Sequence, residues 1–379
     1  MKYIFLLIFT ISLLLFSSNT GAQGCSDAGV CSVGSLNILQ FNFEKLSSKK
    51  STLSMINEDE TPLKVKSKSG GKDTVVLLSG AEKVSREKSI ETIFENNTDD
   101  ENTNKNKLKS FYLKNSFQLT SIYGIGDNST SVSTIQIEGN FNIVKEKLYT
   151  QVKLPYTFIN GNLASVNGFG DFTMSINYVA LNKNYSNLSL TGGLKVPTNS
   201  ADIFKDNLPL PMVYQTSLGS KDVLFGAKYT YRKWDITFGY QHSFEATQNQ
   251  YLHRVTANEN YNSYFQSKEM KRADDVIFRG NRNFRIKKSV VSSGLLFIYH
   301  LDEDAITDIS GNRVKAVGSK GLTLNLNLAG LLPISKTVDL IFLFATPLVT
   351  RDYRTDGLTR GVVFITGIKY NLYKNRDSK

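Results

Sequence analysis

The sequence offers three imidazoles for acid–base chemistry, His242, His253 and His300. A hydrolase needs one beside a nucleophile, and His242 does adjoin Ser243. Neighbours on a strand point to opposite faces, however, so that pair cannot share a proton. His253 falls in a long polar stretch and His300 at the end of a candidate strand, and both read as loop or interface residues. Phosphate-cradling glycine loops and nucleic-acid motifs are absent from the sequence. The residues therefore call for no catalytic group, no cofactor, no metal and no nucleic-acid partner.

The two cysteines carry a different chemistry. Lys2 precedes an apolar run ending near Phe16, followed by SSNTGAQ, with small residues at Thr20 and Ala22. This is the pattern of a secretory signal peptide over residues 1–22, and the run is too short to cross a bilayer as a helix. A lipid-modified Cys25 in AQGC competes with this reading but lacks the usual leucine three residues ahead. Export takes Cys25 and Cys31, with five residues between them in GCSDAGVC, into an oxidising compartment where a small local disulfide is expected. No histidine or further cysteine lies near enough to complete a metal site.

Residues 23–109 follow as a separate N-terminal segment. Stretches such as SKSGGKD and ENNTDDENTNKNK bury too little apolar surface to offset the entropy of ordering, so this segment reads as a largely disordered linker. Residues 33–109 hold 13 basic and 12 acidic side chains, against 31 and 21 over 110–379. The net charge of +11 therefore belongs mainly to the second part.

From about residue 110 the apolar period becomes two. In WDITFGYQHSF, Trp234, Ile236, Phe238, Tyr240 and Phe244 share one face, and Asp235, Thr237, Gly239, Gln241 and Ser243 the other. Twelve such stretches are expected, at about 110–122, 131–143, 146–158, 169–181, 186–197, 221–232, 234–244, 274–285, 288–301, 320–331, 337–348 and 360–373. They are longer than the ~5–6 residues usual in soluble domains and match the ~9–11 of a tilted transmembrane strand. Connections alternate between a few residues and long polar excursions, with the even-numbered strands followed by the short ones. Long loops on one side and tight turns on the other predict an all-β fold, a transmembrane antiparallel barrel of about twelve strands over 110–379, with both termini periplasmic. Closure follows because an unpaired strand edge in hydrocarbon costs several kcal/mol per group. A secreted sandwich or lipocalin-like barrel is the soluble competitor.

The stretch NGFGDFTMSINY joins a glycine-rich corner to one of these strands. Gly168 and Gly170 are expected to serve a turn through positive φ or close backbone approach, and Asp171 to accept bonds from local amides. The order KLPYTFINGNLASVNGFGDFTMSINY, LSLTGGLKVPTNS, YQTSLGSKDVLFGAKYTY resembles the outer-membrane β-barrel family labelled putative MetA-pathway of phenol degradation, whose members are often called transporters. Pro155, Gly168, Gly170, Asp171, Pro197, Thr198 and Gly219 carry the resemblance, and GCSDAGVCSVGSL is similar to the mature N-termini of such barrels of Bacteroidetes type. The likeness implies a barrel in the bacterial outer membrane, in contact with lipid and lipopolysaccharide, that passes small aromatic or other hydrophobic molecules. The last strand, GVVFITGIKYNLY, resembles in part the signal read by the barrel assembly machinery.

Strand parity points Lys153, Lys195, Lys228, Asp235, Arg279 and Lys369 into the lumen, along with Glu138 and Asp339. Such a lumen either conducts solutes and favours anions or fills itself with ion pairs. Basic residues of the long loops, Arg272, Arg351 and Arg354 among them, are expected at an outer rim that faces anionic headgroups and sugars or steers an acidic substrate. A passive transport barrel and a structural or surface-interaction barrel are the two functions left.

Overall fold

The computed structural model describes residues 115–372, apart from 146, 184, 256–258 and 358–360. The signal peptide, Cys25, Cys31 and the 23–109 segment lie outside the described residues.

The strands that build the wall are β1 (Ser116–Ile125), β2 (Ser131–Val144), β3 (Leu148–Asn160), β4 (Ser165–Phe169), β5 (Phe172–Lys183) and β6 (Ser186–Val196). Within the next loop lie β7 (Phe204–Lys205) and β8 (Leu208–Pro209). The wall continues through β9 (Asp222–Tyr231), β10 (Trp234–Ser243), β11 (Asp275–Ile286) and β12 (Ser289–His300). After the loop strands β13 (Ala305–Thr307) and β14 (Arg313–Lys315) it is completed by β15 (Gly321–Pro333), β16 (Val338–Val349) and β17 (Val363–Asn371).

Every wall strand runs antiparallel to its neighbours, and β1 pairs with both β2 and β17, so the sheet closes on itself. Strands β4 and β5 are one path along the wall, broken only at Gly170 and Asp171, which makes a twelve-stranded barrel. Two boundaries differ by four residues or more from the sequence reading. The first strand starts at Ser116, and the fourth begins upstream of the glycines, at Ser165, because a hairpin extends β3 beyond the rim. Extended strands also shorten the first two connections on the long-loop side to residues 126–130 and 161–164.

The two faces differ as alternation requires. On β10, Trp234, Ile236 and Phe238 are exposed on the outside while Asp235, Thr237 and Gln241 are buried inside. The same split holds on β5, with Met174, Ile176 and Tyr178 outward and Thr173, Ser175 and Asn177 inward. Exposed side chains of this size are intelligible only against lipid, since water would penalise each by about 1.5–3 kcal/mol relative to burial. The barrel is a transmembrane one: backbone groups are paired around a closed ring and the apolar side faces out.

All tight turns, at 145–147, 184–185, 232–233, 287–288 and 334–337, lie at the same end as Ser116 and Asn371. The long loops 197–221, 244–274, 301–320 and 350–362 lie at the opposite end.

Candidate functional site: a charged ladder beneath a packed mouth

Residues directly opposite each other in neighbouring strands share a face, so cross-strand register tells which inward side chains adjoin. One row reads Asp339, Lys369, Gln118, Glu138, Lys153, Thr173, Lys195, Asp222. It starts at the second residue of β16, beside the short turn 334–337, and ends at the first residue of β9, beside the long loop 197–221. Because barrel strands tilt, a row of opposed residues climbs as it circles. This one carries six charges from the short-turn end to the long-loop end.

The charges are matched. Lys153 Nζ lies 3.7 Å from Glu138, whose other carboxylate oxygen accepts from Asn140 at 2.9 Å and Gln151 at 2.6 Å. Lys195 sits between Asp171 and Asp222 at 3.2 Å from each. Gln241 and Ser220 also donate to Asp222. Asp339 accepts from Asn371 at 2.8 Å. A second row places Lys228, Thr237 and Arg279 side by side, with Asp235 two residues from Thr237 on β10. Asp235 accepts from Thr230 and Asn283, both at 2.6 Å. All six lumen candidates therefore face inward and are buried. Lys153 and Lys195 are held by carboxylates, so for these two the structure selects ion pairing over a bare cationic lining.

Apolar side chains also point inward. Ile122, Ala345 and Val363 pack together on β1, β16 and β17, and Leu224, Ile277, Leu296 and Ile298 are buried on the inner faces of β9, β11 and β12. The interior is thus amphipathic.

The resemblance residues gather at one place, where loop 197–221 folds against the break between β4 and β5. Pro155 accepts from the Gly170 amide at 2.9 Å, and Thr198 donates to the Gly170 carbonyl. Pro197 is half-buried where the chain leaves β6. Of the two roles open to Gly168 and Gly170, positive φ is not used. Their role is close approach: a Cβ on Gly170 would lie 2.9 Å from the Thr216 carbonyl and 3.0 Å from Pro155, and one on Gly168 would lie 3.0 Å from Asn199. Gly219 does need positive φ, at +68°. Asp171 also reaches far beyond its own turn. It accepts from Ser217 and from the Leu218 amide, 46 and 47 residues further along the chain, and pairs with Lys195. A side chain at either glycine would crowd the loop, and an uncharged residue at Asp171 would lose its ion pair with Lys195.

Above the ladder the long loops pack on one another. Tyr214, Tyr251, Tyr261 and Tyr264 form a buried cluster with Leu210 and Val213, seated on Val132 and Ile159 of the wall. Tyr214 and Tyr264 share a hydroxyl contact at 3.0 Å, and the Leu163 amide donates to Tyr214 at 3.0 Å. A second cluster joins Ala201, Met212 and Leu218 to Met270, Ile306 and Ala316. Burial raises the Tyr251 and Tyr264 hydroxyls well above the usual phenol range.

A buried ion network ties these loops to the rim. His300 presents Nδ1 to Asp275 at 2.7 Å and Nε2 to Asp304 at 2.8 Å, an arrangement that a doubly protonated ring satisfies with two donors. Asp304 also accepts from Thr355 and the Ala273 amide. Arg272 pairs with Asp275 and, at 3.6 Å, with Asp356, which holds Arg351 at 2.9 Å. Burial opposes the charge on Arg272, yet Asp275, Asp356, Asp222 and Asp304 together hold its proton more tightly than in water. Arg354 meets Asp127 at 3.1 Å. Burial pushes the Asp127 carboxyl up to about 6, against the pull of Arg354.

These contacts correct two sequence expectations. His300 is a buried junction rather than a loop or interface residue. It lies on the inward parity of β12 with Ser292, Leu296 and Ile298, and that parity was the available signal. Arg272, Arg351 and Arg354 turn into the mouth rather than out to headgroups, because the buried aspartates there need counter-charges. Among the described residues, no group of three or more His, Cys, Asp or Glu is arranged to hold a metal ion.

No protein-family model and no curated protein sequence matches the chain. Several solved structures are similar to it. An outer membrane channel from Pseudomonas putida F1 is 12% identical over 72% of this chain and 100% of its own, with a TM-score of 0.48. The NanC porin is 9% identical over 68% and 100%, with a TM-score of 0.41. The KdgM porin in complex with disordered oligogalacturonate is 8% identical over 68% and 99%, with a TM-score of 0.37.

Proposed function

We propose that this chain is an outer-membrane barrel that passes small molecules passively, amphipathic or aromatic ones among them. The observation that carries the reading is the ladder from Asp339 to Asp222, which lines the interior from one end to the other beside inward apolar patches. A solute with a polar head and an apolar body finds both surfaces along that path. The resemblance of the 145–245 region to the phenol-degradation barrels supports the same class of solute, and the neighbouring lipid and lipopolysaccharide follow from the location. Assembly by the barrel machinery follows from the last strand.

Liposome swelling with a panel of sugars, fatty acids and aromatic acids tests the reading. Faster swelling with aromatic acids than with sugars of similar size supports it, and no swelling above protein-free liposomes with any solute refutes it.

The packed mouth favours a second reading, a barrel whose loops present a surface and transport nothing. Planar-bilayer conductance separates the two. Opening the mouth by replacing Tyr214 and Tyr264 with alanine should raise conductance in a channel and leave it at baseline in a closed structural barrel.

A further inference from the structure

The positive charge of the barrel is concentrated at the end where the sequence alone would not have put it. Loops 126–130, 161–164, 197–221, 244–274, 301–320 and 350–362 together hold 12 basic and 13 acidic residues, so the long-loop end is balanced. At the other end, each tight turn or the strand residue leading into it carries a cation. Two turns are consecutive basic pairs, Arg232–Lys233 and Lys287–Lys288, and Glu146 is the one acidic residue in the five turns. All the described cations of these turns are exposed.

Four contacts of two arginines with aromatic rings set the height of this ring on the wall. The Arg282 guanidinium lies 5.2 Å from the Trp234 ring and 5.6 Å from Phe284. Arg232 lies 5.3 Å from Tyr231 and 5.9 Å from Tyr185. These four rings are exposed on the outward face, at the lower edge of the lipid-facing band. Tryptophan and tyrosine rings such as Trp234, Tyr231 and Tyr185 sit at the headgroup level, with the apolar body in the bilayer and the polar edge out. A guanidinium stacked on such a ring is held at the depth of the phosphates rather than out in solution.

We propose that the short-turn end of the barrel binds anionic phospholipids of the adjacent leaflet, their phosphodiesters held by the turn lysines and arginines above an aromatic girdle. The ligand is a lipid rather than a soluble acidic protein because the arginines lie over lipid-facing rings on the side of the wall. A net negative headgroup is required because zwitterionic headgroups have no surplus charge for a ring with almost no acidic residues. The site is independent of whether the lumen conducts.

The test uses the full chain reconstituted in nanodiscs of phosphatidylethanolamine and phosphatidylglycerol, with co-retained lipid counted by native mass spectrometry. Wild-type protein should retain phosphatidylglycerol above its share of the bilayer. The R232Q/K233Q/K287Q/K288Q variant should lose about fivefold or more of that enrichment. The K205Q/K221Q/K315Q/K320Q variant, with the same charge change at the long-loop end, should keep it. Heat-modifiable gel mobility reports folding of both. Should the first variant fail to fold, the wild type carries the test: enrichment should vanish in 1 M salt, where the Debye length is ~3 Å. Equal retention by all three proteins, or enrichment unaffected by salt, would overturn the proposal.

Discussion

Asp171, in the two-residue gap between β4 and β5, holds the ammonium of Lys195 on β6 at 3.2 Å. The same carboxylate receives Ser217 and the Leu218 amide. A single side chain thus joins the wall, the charged ladder and the first long loop, with Asp222 on the far side of Lys195 completing a triad of two acids and one base.

Removing the base leaves two buried carboxylates facing each other. Lys195→Met should therefore destabilise the barrel by roughly 3–5 kcal/mol, while Lys195→Arg keeps most of the stability. Urea unfolding followed by Trp234 fluorescence measures both. A K195M barrel within about 1 kcal/mol of wild type, on the order of an exposed pair, would show that the triad has no such role.

Glycine is needed at Gly170 for space and at Gly219 for conformation. Alanine at either should cost about 1–3 kcal/mol, because the new Cβ meets the Thr216 carbonyl or Ala201 at 2.9 Å. A methyl at Gly192 would point outward with nothing within 4 Å of it, so Gly192→Ala is the neutral control. Comparable losses at all three positions would contradict the packing argument.

Phe238 is exposed near the middle of β10 on the lipid side. Arginine there should cost roughly 2–4 kcal/mol and lower the yield of heat-modifiable barrel. Normal assembly of F238R would place that face away from lipid.

Burial pushes Asp127 up to about 6 from an ordinary 3.8. The folded protein then binds a proton there more tightly than the unfolded chain. Its contribution to stability is complete below about pH 4, is lost as pH rises through about 6, and is constant above that. The stability difference between wild type and Asp127→Asn should therefore change between about pH 4 and 6 and stay level from about 7 to 8. A difference independent of pH across the whole range would refute the assignment.

Ladder charge can be tested at Lys153. K153E places a second carboxylate beside Glu138 and should shift reversal potential towards cation selectivity in any barrel that conducts. Unaltered selectivity in a conducting variant would show that ions bypass this part of the wall.

What the sequence determined by itself was the alternation, and alternation decides which face each side chain takes. Trp234 through Ser243 could be assigned residue by residue because a strand has a period of two whatever it pairs with. Length then selected a membrane, and the order of short and long connections set two ends to the barrel. Lys153, Lys195, Lys228, Asp235, Arg279 and Lys369 were placed inside by the same parity. Register was not legible, since the pairing of Glu138 with Lys153, or of Thr173 with Lys195, depends on how far one strand slides along the next. The climbing ladder exists only once those offsets are set. Loop contacts were further out of reach: Asp171 finds Ser217 and Leu218, and His300 finds Asp275 and Asp304, through tertiary folds that no local periodicity encodes. Tertiary structure also decided which cations are spare. Arg272 and Arg351 are consumed by buried aspartates in the mouth, whereas Arg232, Arg282, Lys287 and Lys288 remain on the surface, because burial enforces neutralisation and solvent does not.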